Sequence, residues 1–154
     1  MTTTQENSSK HITTLLNGTI QSIQQTIPIP VQMGRPSADT KELHTQFGVL
    51  VGITGHIKGQ LLFSGHQSAF GVIGTSMFGM ELSGDMLSSF CGEFGNMIAG
   101  GLATIVSEQS VTIDITSPTL VEGDMRMTGF KRSIAIPFTI EAGNELTIYL
   151  LLDQ

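Results

Sequence analysis

Apolar positions change their spacing several times along the chain, and each change marks an element. From about Ser9, Ile12, Leu15, Leu16, Ile20, Ile23 and Ile27 recur at helical spacing, and Pro28 and Pro30 end the pattern. The mostly polar residues 1–9 ahead of it read as a flexible tail. Val31 to Asp39, interrupted by Gly34-Arg35-Pro36, reads as a short strand followed by a loop. Phe47–Thr54 and Gln60–Ser64 are β-rich runs around the turn Gly55-His56-Ile57-Lys58-Gly59, which makes a hairpin. A modest helix is predicted from Gln67 to about Met77, closed by Gly79, and a long one from Gly84-Asp85 to roughly Gln109. Val111–Thr116 alternates as a strand until Ser117-Pro118 breaks it, and Val121–Thr128 reads as irregular or as a short strand. Ser133–Ile140, a turn at Ala142-Gly143-Asn144 and Glu145–Leu152 form a second hairpin. Helix, strand and hairpin thus occur twice, and the halves read as degenerate copies offset by about 80 residues. Leu16-Asn17 falls on Gly95-Asn96, and Gly59-Gln60-Leu61-Leu62-Phe63 falls on Asn144-Glu145-Leu146-Thr147-Ile148.

Composition narrows the function classes. The 154 residues suit one domain with its own core, 40% of them hydrophobic. Charged residues are only 13%, about half the usual share, with a net charge of −6. Few cations and few aromatics argue against nucleic acid, whose binders cluster Lys and Arg and stack bases on rings. A single cysteine, Cys91, allows no internal disulfide, and the polar N-terminus lacks the apolar stretch of a signal peptide. Met86–Val106 is long enough to span a bilayer, but Glu93 and Asn96 lie in its middle, so it reads as a buried helix. A cytoplasmic protein, with no membrane partner, is expected.

That long helix carries the candidate chemistry. With Glu93 at the origin of a helical wheel, Ser89, Asn96, Gly100, Thr104 and Ser107 fall within about 60° of it. Leu87, Phe90, Phe94, Ile98, Gly101, Leu102 and Ile105 occupy a broad apolar face. Glu93 and Asn96, at i and i+3, have Cβ atoms about 5–6 Å apart. Gly100, a turn beyond Asn96, leaves backbone uncovered for close approach. A solvated amphipathic face would account for such a stripe, yet its scarcity of charge suits docking against a partner better.

Ser89-Phe90-Cys91-Gly92-Glu93-Phe94-Gly95-Asn96 resembles the [Asp/Ser]-x-x-x-Glu-x-x-Asn helix of the CheC/CheX/FliY chemotaxis phosphatases, and most resembles the CheX type. Gly52-Ile53-Thr54-Gly55 to Gly59-Gln60-Leu61 is similar to the family's first hairpin. Ser107-Glu108-Gln109 to Asp114-Ile115-Thr116-Ser117-Pro118-Thr119-Leu120-Val121 is similar to the strand and loop after its active helix. The resemblance spans about residues 10–152 and implies an α/β fold with long helices on a mostly antiparallel sheet in a pseudo-twofold layout, one domain over 10–154. It also implies dephosphorylation of the aspartyl phosphate of a CheY-like response-regulator receiver domain. Asn96 would orient the attacking water, Glu93 would pair with the receiver's lysine, and Ser89, Gly92 and Gly100 would meet the partner. No metal or cofactor is expected on this chain, the Mg²⁺ being carried by the receiver. The first helix has Asn17, but Thr14 and Lys10 replace the acid and the Asp/Ser, which implies one site per chain and a homodimer of the strand-exchanged CheX kind. Gly95 departs from expectation by putting a helix-weakening residue beside Asn96.

An alternative reading is an idle relative that binds a receiver or flagellar switch component without catalysis, and a second is an unrelated small-ligand domain. Intact Glu93 and Asn96 favour the enzyme over the idle copy. His44, His56 and His66 match no common ligand spacing. Cys91 falls on the core side of the wheel as a small hydrophobe, and Met77, Met80, Met86 and Met97 are expected to fill gaps in the core.

Overall fold

A computed structural model describes residues 4–38 and 41–153. The helices are α1 (Thr4–Thr26), α2 (Gln67–Phe78) and α3 (Gly84–Ser107). The strands are β1 (Gln32–Met33), β2 (Ser37–Ala38), β3 (Leu43–Gly55), β4 (Gly59–Gly65), β5 (Ile113–Ile115), β6 (Thr119–Met127), β7 (Arg132–Ile140) and β8 (Asn144–Leu152). They form one sheet in the order β1-β7-β8-β4-β3-β5, with β2 also on β7, β6 also on β3, and every pair antiparallel.

Alternation along the strands separates two faces. Val49, Val51, Ile53, Leu61, Phe63, Ile148 and Leu150 join the main core, which also takes Leu15 and Ile23 from α1, Phe70 and Ile73 from α2, and Phe94, Ile98 and Leu102 from α3. The intervening Leu50, Leu62, Tyr149 and Leu151 belong to a smaller cluster with Leu43, Met127 and Phe130. No helix among the described residues is long and apolar enough to cross a membrane.

The halves are related by a pseudo-twofold axis, and each lends strands to the other. The β3–β4 hairpin receives β5 and β6 from the second half, while β7–β8 receives β1 and β2 from the first. Phe63 and Ile148, equated by the sequence match, stand directly opposite in the β4–β8 pair. At the spacing that matches Asn17 to Asn96, Ser22 falls on Gly101, and these two also touch. Ser22 Oγ donates to the Ile98 carbonyl at 2.8 Å. A Cβ at Gly101 would lie only 2.7 Å from that hydroxyl, so this glycine is what lets α1 and α3 cross closely.

Three expectations need correction. α1 begins at Thr4, inside the stretch expected to be a flexible tail; residues 1–3 lie outside the described residues. Ile12 is the first α1 residue in the core, so the turns before it leave no apolar mark in the sequence. Val31 to Asp39 gives two two-residue strands on the edge of β7, separated at Gly34-Arg35-Pro36, where the Gly34 N–H donates to the Pro137 carbonyl at 2.7 Å; Asp39 is outside the described residues. Finally, β6 is a nine-residue strand paired along β3 where an irregular segment or a short strand was expected. It is mostly exposed and contains Glu122-Gly123-Asp124, so its pairing is invisible to a hydrophobic pattern.

Candidate active site on α3

The chain enters α3 through Ser83, in an extended conformation, and Gly84 at φ 55°, with Asp85 in the first turn where the helix dipole favours an acid. A line of rings then holds the helix against the sheet. Phe78 meets Phe90 edge-on at 5.9 Å, Phe90 stacks on Phe94 at 5.8 Å, and Phe94 meets Phe63 edge-on at 6.1 Å. Gly95 explains itself here: a Cβ would come 2.7 Å from Val49 Cγ1, so the residue that weakens the helix is the one that lets it lie against β3.

On the opposite face, Ser89, Glu93 and Asn96 are exposed and Gly100 is half-buried. The other stripe members turn back on their own helix. Thr104 Oγ1 donates to the Gly100 carbonyl at 3.2 Å and Ser107 Oγ to that of Thr104 at 2.7 Å. Ser89, Glu93 and Asn96 have no side-chain hydrogen bond or ion pair to any described residue. A carboxylate and an amide thus stand one turn apart, both free to bind another molecule. Nothing lies within 4 Å of a Cβ built at Gly100, whereas one at Gly92 would sit 3.9 Å from Pro118 Cγ. Gly92 therefore lies to the side of the stripe, toward the turn before β6. On α1, Thr14 is half-buried and Asn17 exposed, with Lys10 also exposed.

Cys91 is fully buried, and burial pushes its thiol up to about 12, with the Glu122 charge adding to the effect; it is no nucleophile. His56 lies apart from His44 and His66. His44 Nε2 donates to Glu42 at 3.0 Å, His56 Nδ1 accepts from the Thr112 N–H at 2.9 Å, and His66 precedes α2. Among the described residues, no group of three or more His, Cys, Asp or Glu could hold a metal ion. A cleft of about 770 Å³ lies away from α3, where His44, Thr45, Ser64, His66 and Arg126 gather at the ends of β3, β4 and β6. It is a polar, open cleft and not a deep apolar pocket.

Sequence reasoning missed the methionines. Met80, Met86 and Met97, expected in the core, are 52%, 54% and 36% exposed, while Met77 packs partly buried against it. The wheel held the signal, since Met86 and Met97 fall within about 40° of Glu93; hydropathy overrode the angle.

A protein-family model described as "Chemotaxis phosphatase CheX" matches residues 47–139, from β3 into β7 and across all of α3. The chain belongs to the CheX chemotaxis phosphatase family. The CheY-P phosphatase CheX of Thermotoga maritima is 29% identical over 144 residues, covering 90% of this chain and 93% of that protein. Among solved structures, the CheX-CheY-BeF3-Mg²⁺ complex from Borrelia burgdorferi superposes with a TM-score of 0.75 at 18% identity, over 94% of this chain and 98% of the other. CheX from Desulfovibrio desulfuricans gives 0.74 at 22%, over 93% and 99%. At these identities the solved structures share the CheX fold with this chain, which is the pseudo-twofold α/β architecture described above.

Proposed function

We propose that the chain dephosphorylates the aspartyl phosphate of a CheY-like receiver domain. The observation that carries the reading is the Glu93–Asn96 pair, exposed and unengaged on the α3 stripe of a CheX-family chain. A neutral amide is a poor base at neutral pH. Phosphoryl transfer through a loose transition state needs a water held in line more than it needs a proton removed. Asn96 does this by accepting from the water with its carbonyl or donating to it with its amide nitrogen. Glu93 pairs with the receiver's lysine through a charge-assisted hydrogen bond and so sets the register that brings Asn96 over the phosphorus. The Mg²⁺ that neutralises phosphoryl charge belongs to the receiver.

The stripe is completed by Ser89 and the open backbone at Gly100, both available to the partner, with Gly92 beside the turn at Pro118. One such site per chain follows, because Thr14 replaces the acid on α1. The homodimer belongs to the same proposal: both sheet edges are built from interrupted pieces, β1 with β2 and β5 with β6, which two chains could exchange without losing a pairing.

Adding the protein to a phosphorylated receiver with Mg²⁺ is expected to accelerate phosphate release. Unchanged decay with every receiver of the host would defeat the phosphatase, and binding without acceleration would favour the idle-adaptor reading. Gly100→Ala gives a sharper second test. It meets no neighbour and removes a helix-weakening residue, so it should stabilise the fold by about 0.5–1 kcal/mol. The added methyl stands where the partner approaches, so the same variant should raise the KM for the receiver. A more stable variant with wild-type KM would remove Gly100 from the docking surface.

A further inference from the structure

Among the described residues, the exposed large apolar side chains are unevenly placed. Phe78, Met80 and Met86 stand 60%, 52% and 54% exposed around the start of α3. Together with Leu82 and Phe90 they wall a groove of about 530 Å³. Its polar rim is Asp85, Ser89 and Glu93, so it runs directly into the stripe that carries Asn96.

We propose that this groove selects the receiver: it takes a large apolar side chain that a cognate receiver presents beside the lysine held by Glu93. The inference rests on the phosphatase reading and deepens it, because Ser89 and Glu93 belong to both surfaces. A partner whose cation reaches Glu93 comes to the rim of the groove, which Glu93 itself lines. The groove rim holds two acids and no cation, which fits a positive group next to an apolar one. A second copy of this chain fits poorly, since mutual insertion would bring the Asp85 and Glu93 carboxylates of both copies together in a protein of net charge −6.

The walls divide the work between rigidity and adaptation. Phe78 is braced against Phe90, which stacks on the fully buried Phe94, so this side is fixed by the core. Met80 and Met86 are flexible, polarisable thioethers that can close around side chains of differing shape. Selection therefore falls on the neighbour of the reacting groups, while Glu93 and Asn96 read what all phosphorylated receivers share.

The test is steady-state dephosphorylation of a cognate phosphorylated receiver by the Met80→Gln/Met86→Gln double variant, which keeps side-chain length at both exposed positions and helix propensity at Met86 in α3. The KM is expected to rise about tenfold from the lost apolar contact, with kcat within twofold of wild type. Met125→Gln, at an exposed methionine on β6 outside the groove, should leave KM unchanged. If the wild type is active and the double variant's KM rises less than threefold, the groove has no part in docking and the phosphatase reading stands. If the double variant instead falls from dimer to monomer in sedimentation with unchanged KM, the groove belongs to a second copy. A wild type inactive on every receiver overturns the phosphatase reading and the groove's role together.

Discussion

Asn96→Ala is expected to cut the acceleration of phosphate release by about 100-fold or more while leaving receiver docking intact. The side chain is exposed and makes no internal hydrogen bond to any described residue, so its removal disturbs neither the core nor α3. In the role proposed for Asn96, what disappears is the positioning of one water, which acts only as the transition state forms. The loss should therefore fall on kcat. Binding to a receiver loaded with beryllium trifluoride, a stable stand-in for the phosphoryl group, should stay within a fewfold of wild type. Glu93→Ala should behave differently. It removes a charge-assisted hydrogen bond worth about 1.5–3 kcal/mol, so binding should weaken by about 10- to 100-fold along with the rate. An Asn96→Ala protein that keeps a third of its activity, or loses binding as badly as Glu93→Ala, would mean that the roles are assigned to the wrong residues.

Gly95→Leu should damage the same reaction from the buried side. Val49, the residue a Cβ at this position would strike, is itself fully buried and branched, with no open space to turn into. Overpacking of this kind costs typically about 1–3 kcal/mol, and a side chain of four carbons puts the variant at the upper end. A domain of this size should then melt roughly 6–12 °C lower. The strain can be relieved by lifting α3 away from β3, which moves Asn96, the next residue, out of line with the phosphate. A displacement near 1 Å is enough to cost about 100-fold in rate. Thermal melting and the decay assay on one sample check both halves. A variant that melts like wild type would show that α3 is not seated by this contact.

α3 and both hairpins could be read from the sequence because each has a strong period. α3 pairs a wide apolar face with a stripe of Ser89, Glu93, Asn96 and Gly100, and the structure leaves that stripe exposed or half-buried. β6 and the start of β3 were harder. β6 pairs through a backbone whose side chains are mostly exposed, the start of β3 buries only Leu43 and the polar Thr45, and the register shift between Thr45 and Phe47 interrupts the alternation that would have announced Leu43 to Gln46. The methionines failed for another reason. Their transfer energy favours burial, yet a residue that can sit in the core can also line a groove, and only the angle around the helix distinguishes the two. The roles of Gly95 and Gly101 were likewise hidden, whereas Gly100 could be read as uncovered backbone from its place beside Asn96. The three glycines fall within seven residues, and their neighbours separate one that admits the sheet, one that admits α1 and one left open.

The half without a Glu–Asn pair is not a relic that the protein could shed. It supplies β1 and β2 to the sheet edge beside β7, takes β5 and β6 in return, and sets Ser22 of α1 into the notch at Gly101. Each half is thus the missing edge of the other, and neither can close its sheet alone. Most of the stabilising pairings join residues distant in sequence, so the protein should assemble as one cooperative unit and comparatively slowly for its size. The two positions also differ in freedom: Thr14 is half-buried, whereas Ser22 is buried against Gly101 and has no room to grow.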